Sequence, residues 1–89
     1  MIFVRYLLLV LFIVSFSYAN DTEDFTKGMD FLLGTNIKQD KTKAFYYLNK
    51  ASKANNAEAS YNLALMYYIG DGIDQNISMS AKLLENASN

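Results

Sequence analysis

The feature that most constrains this chain is that it repeats itself. With residues 20–53 laid over 56–89, an offset of 36, seven of the 34 pairs are identical without a gap. They are Asn20/Asn56, Gly34/Gly70, Ile37/Ile73, Gln39/Gln75, Leu48/Leu84, Ala51/Ala87 and Ser52/Ser88. Similar residues fall between them at Phe25/Tyr61, Met29/Leu65, Phe31/Tyr67, Leu33/Ile69, Asp40/Asn76 and Thr42/Ser78. Glycines, alanines and apolar positions stay in phase, so each unit is one supersecondary element. A period of this length belongs to stacked repeats, in which neighbours bury each other's apolar faces.

Each unit reads as two helices, A and B, with no strand signal. In the second repeat, 56–89, the run Ala57–Ile69 places Ser60, Leu63, Ala64 and Tyr67 on one face by the 3.6-residue period. Asn56 can cap it by accepting from the free amides of the first turn. Gly70-Asp71-Gly72 stops it, because glycine supplies the positive φ that a helix end commonly needs. Asn76 or Ser78 then opens a helix whose inner face carries Ala81, Leu84 and Ala87. The first repeat, 20–55, follows suit with a helix over 22–33, Gly34, and a helix opened by Asp40 or Thr42 that runs to Lys53. Its core face is Ala44, Tyr47, Leu48 and Ala51. Asn36 stands opposite Gly72 and Asn55 closes the helix over 41–53; asparagine is the non-glycine residue that best tolerates the left-handed region.

The run from Asn56 to Ile73, with Ala59, Leu63, Tyr67, Gly70 and Gly72 in their places, resembles the Sel-one-like repeat, a relative of the tetratricopeptide repeat. Ala64 stands for that family's small glycine and Ile73 for its valine. Asp40, Ala44, Tyr47, Lys50 and Ala51 match its second helix. Helix A of the first repeat is degenerate, with Lys27 where leucine is expected and Gly28 in the small position. The resemblance implies an all-α fold, an αα-hairpin solenoid of two repeats following an N-terminal signal peptide. It also implies a scaffold whose A helices line a concave face that takes proteins or peptides. By position, Tyr61, Asn62, Leu65 and Tyr68 look out from that face in the second repeat, and Phe25, Met29 and Leu32 correspond in the first; the competing reading is that these residues pack against the neighbouring repeat. A cysteine-rich secreted branch of the family is associated with β-lactam hydrolysis, which makes a β-lactamase-like hydrolase the alternative reading. A secreted effector or inhibitor is a third.

Ahead of the repeats lies Met1–Ala19, MIFVRYLLLVLFIVSFSYA, with Arg5 its only charge. A basic start, an apolar run and small residues at Ser17 and Ala19 have the layout of a secretory signal peptide cleaved after Ala19. An uncleaved anchor helix is the competing reading, since nineteen residues can just cross a bilayer. Cleavage predicts a periplasmic or secreted chain with no stable membrane anchor, because no cysteine follows to accept a lipid.

Composition removes most chemistry. The chain has no Cys and no His, which excludes disulfides, Cys/His metal sites and imidazole-dependent nucleophiles. No lysine has serine three residues before it, so the serine β-lactamase motif is absent. Asp71 and Asp74 are a carboxylate pair in a loop, where solvation is the ordinary state. Catalytic residues, metal ligands and cofactors are therefore all expected to be none. Beyond Ala19, seven lysines face nine acids, a net charge of −2 spread along the chain, which does not suit nucleic acid.

Two further sites are expected. The apolar edge of the last helix, Ile77, Leu83 and Leu84, offers a surface for self-association or a partner. Asn76, within Asp74-Gln75-Asn76-Ile77-Ser78, fits a bacterial periplasmic N-glycosylation acceptor as well as a helix cap.

Overall fold

Three of the four described helices start where a short polar side chain takes up a free amide. In the computed structural model, Asp40 Oδ1 accepts from Lys43 N at 3.1 Å, Asn56 Oδ1 from Ala59 N at 2.9 Å and Asn76 Oδ1 from Met79 N at 3.0 Å. The structure describes residues 22–88, and over these the chain is helical with no strand. The elements are α1 (22–33), α2 (Lys41–Lys53), α3 (Ala57–Ile69) and α4 (Ile77–Ser88). The export segment expected at 1–19, with Asn20, Asp21 and Asn89, lies outside the described residues.

The α1–α2 and α3–α4 loops are built alike. Gly34 N donates to Asp30 O and Gly70 N to Met66 O, at 2.7 and 2.8 Å. Both glycines have positive φ, 67° and 77°. Five residues on, Gln39 Nε2 donates to Leu32 O and Gln75 Nε2 to Tyr68 O, each at 2.8 Å. A Cβ on either glycine would meet the Cβ of that glutamine at 3.1 or 3.2 Å. The glycine turns the chain and makes room for the glutamine, which returns to satisfy an open carbonyl of the preceding helix. This coupling accounts for two of the identities kept at the repeat offset.

The parallel between Asn36 and Gly72 stops there. Gly72 has φ 81°, whereas Asn55 is the one non-glycine residue with positive φ among the described residues, at 69°. Asn36 instead holds its Nδ2 3.5 Å from Asp30 Oδ1.

The core is centred on α3, which packs against both α2 and α4. A helix covered on two sides must bury more than one stripe, and α3 buries Ala59, Ser60, Leu63, Ala64 and Met66. Ala59 and Met66 lie outside the single face read from the sequence for that reason. They cluster with Leu48 and Ala51 of α2 and Leu83 of α4. Small residues on α3 let its neighbours approach closely, and Ser60 Oγ reaches Ser52 Oγ of α2 at 2.6 Å. Tyr47 and Tyr67, expected in the core faces, sit half-buried at the margin. Tyr47 stacks on Phe31 and Tyr67 meets Phe45 edge-on, both with centroids 5.7 Å apart.

Two expectations are corrected. The inner face of α4 carries Ser80 and Leu83, while Ala81 and Leu84 are exposed and Ala87 is half-buried. Leu83 accordingly belongs to the core and not to the open edge, which keeps Ile77 and Leu84. Phe25, Met29 and Leu32 do not stand free on the face; all three are partly buried against the core, and of the three Leu32 alone also borders the α1–α3 groove. With Lys27 in place of leucine, α1 lacks the apolar residue that anchors α3 and recruits these three instead.

Candidate interaction face

The A helices, α1 and α3, carry the residues expected to meet a partner. Tyr61, Leu65 and Tyr68 are exposed, and Asn62 is half-buried. Their spacing follows from the helix period: what α3 turns away from α2 and α4 falls on this side. Asn62 is held by its own helix, with Nδ2 donating to Glu58 O at 2.8 Å. That fixes the amide and leaves its Oδ1 without a hydrogen-bond partner among the described residues.

The structure divides the expected set. Asn62 and Leu65 join Leu32, Leu33 and Ile69 along a groove of about 270 Å³ between α1 and α3. Tyr61 and Asn62 also border a second groove toward the end of α4. Tyr68 lines neither. Sequence reasoning passed over Leu33 and Ile69, the most exposed large apolar residues of this face at 64% and 67%. They occupy the same position in each repeat, immediately before the turn glycine, and an apolar residue kept there by both units was a usable signal.

Electrostatically the groove is quiet. Lys41 and Asp71 both line it and are paired with each other, Nζ to Oδ1, so its polar edge carries no net charge. A floor of aliphatic side chains beside a fixed amide oxygen suits an apolar peptide segment that offers an N–H. Asp71, one half of the carboxylate pair noted in the sequence, is engaged by Lys41, and Asp74 is exposed. No group of three His, Cys, Asp or Glu among the described residues could hold a metal ion. None of the described helices is long and apolar enough to cross a membrane.

Comparison with known proteins bears on the repeats. A solved Sel1 repeat protein from Oxalobacter formigenes superimposes with a TM-score of 0.71 at 21% identity. The match covers 89% of this chain and 60% of that one, so the chain spans about three fifths of its length. At that identity the likeness shows the fold. No curated protein matches the chain. The Sel1 repeat pattern, however, matches twice, over residues 31–56 and 57–89. The first match begins inside α1, past Lys27 and Gly28. With well over half of its residues accounted for by two such units, the chain belongs to the Sel1 repeat family.

Proposed function

We propose that this chain is an exported helical-repeat adaptor that binds a protein or peptide partner on the face carried by α1 and α3. Sel1 repeats are typically protein–protein interaction modules and generally non-catalytic scaffolds. The observation that carries the proposal is the fixed Asn62 amide, its acceptor oxygen free, beside the apolar groove of Leu32, Leu65 and Ile69. Large apolar side chains on a rigid helix bury area at small entropic cost, and one placed acceptor sets orientation. Export to the periplasm or beyond rests on the layout of Met1–Ala19. No observation favours the hydrolase alternative.

The test is recovery of the partner from the native envelope with the tagged protein, compared with Asn62→Ala and Leu65→Asp variants. Both positions lie outside the core cluster, so helicity should be preserved. Loss of the same bound protein from both variants supports the reading. A partner retained at wild-type yield by both variants sinks it.

A further inference from the structure

The repeat offset relates one buried junction to one open surface. Between the repeats, α3 lies on α2, and its Ser60, Ala59 and Leu63 cover Ser52, Ala51 and Leu48. Thirty-six residues on, the same three types recur as Ser88, Ala87 and Leu84. Three of the seven identities between the repeats therefore fall on the surface that receives the next helix. Tyr61 stands where the first repeat has Phe25, which packs against the core. In the second repeat these positions line a groove of about 560 Å³ between the start of α3 and the end of α4. Leu48 is fully buried, whereas Leu84 is 42% exposed and Tyr61 52%. Ile77, at the position of Lys41, extends the apolar strip along α4.

We infer that this groove receives an amphipathic helix from a partner protein, one bearing the pattern of α3. That pattern is two small residues, then leucine and a further small residue, as in Ala59-Ser60-x-x-Leu63-Ala64. The junction between the repeats is the internal precedent for the occupant, since the lining is the same and its filling is visible there. A second copy of this chain does not fit. Its α3 is already buried between α2 and α4, and its α1 would bring Glu23, Asp24 and Lys27 to the places of Ala59, Ser60 and Leu63. Setting those charges into an apolar groove costs more than the contact returns. The surface shares Asn62 with the α1–α3 groove, but Leu84 lines this one alone and Leu65 the other alone, so substitutions at those two positions test them separately.

The test titrates the protein produced from the full sequence with a synthetic peptide of the α3 sequence, Asn56–Ile69, followed by calorimetry. Saturable one-to-one binding is expected, weakened at least about tenfold by Leu84→Lys with helicity unchanged. Lys82→Ala, exposed and outside the groove, should bind as the wild type does. Binding that survives Leu84→Lys, or none at peptide concentrations up to about 1 mM, overturns the inference. So does a peptide-free dimer that Leu84→Lys dissociates, for then a second copy covers the groove.

Discussion

Lys41, the first residue of α2, donates to the carboxylate of Asp71 in the α3–α4 loop, so this ion pair crosses from the first repeat to the second. Beside it the backbone is equally close, since a Cβ on Gly72 would lie 2.6 Å from Lys41 Cβ. Both side chains of the pair are over one third exposed, and solvent screening limits Lys41→Ala to about 0.2–1 kcal/mol. Gly72→Ala faces the steric contact and a φ of 81° together, which makes about 1–2 kcal/mol a lower bound. Because the obstacle is Lys41 Cβ, Lys41→Ala should not rescue Gly72→Ala. Urea unfolding of the two single variants and the double variant measures this, and full rescue would show that the charge and not the backbone sets the contact.

Core and surface tyrosine-face substitutions should separate cleanly. Leu63→Ala removes a fully buried side chain at the centre of the cluster and is expected to cost about 2–5 kcal/mol. For a domain of this size that is comparable to its whole stability. Tyr61→Ala and Tyr68→Ala, each over half exposed, should leave the far-ultraviolet circular dichroism and the midpoint nearly unchanged. An equal loss of helicity from both kinds of variant would mean that the tyrosines hold the fold.

Asn76 serves α4 through its Oδ1, which accepts from Met79 N. Asn76→Ala should cost about 0.5–2 kcal/mol, and Asn76→Asp should retain the cap. The nitrogen of the same amide, which a glycan would join, has no hydrogen-bond partner among the described residues. Where the acceptor sequence is used, the native protein is heavier than its sequence and Asn76→Gln removes the excess. An unmodified mass in a host that possesses the transferase leaves Asn76 as a cap alone.

Export has a direct readout. The first residues of the protein recovered from the envelope should read Asn20-Asp21, with everything through Ala19 removed. Intact Met1 in the membrane fraction would turn the segment into an anchor.

The repeat, its helix boundaries and its caps were legible in the sequence because each rests on local chemistry. Asp40, Asn56 and Asn76 cap by side-chain reach alone, and Gly34 and Gly70 turn the chain by backbone freedom alone. What depends on three-dimensional neighbours was less legible. The burial of Met66 follows from α3 being flanked on two sides, and the exposure of Leu84 from no described helix packing on its side. Leu48 and Leu84 are the same residue at the same repeat position, and no reading of either alone could tell them apart. On the candidate face, Leu33 and Ile69 are the last residues of their helices, where the helical period no longer assigns a face, and only the comparison of the two repeats marks the position as apolar.

The two ends of this stack differ in what they would accept by duplication. At the α1 end, Lys27 sits 3.3 Å from Glu23 and 5.6 Å from the centroid of Tyr47, a polar finish where the next repeat has leucine. At the other end, Leu84, Ala87 and Ser88 keep the surface that α3 recognises. A copied unit spliced in after Ser88 would find a seat ready for it, while the same copy placed before α1 would meet charge. Lengthening of such an array therefore has a direction written into its side chains: a copy of the second unit can be added on one side without any compensating mutation, and on the other only after Lys27 is replaced by an apolar residue.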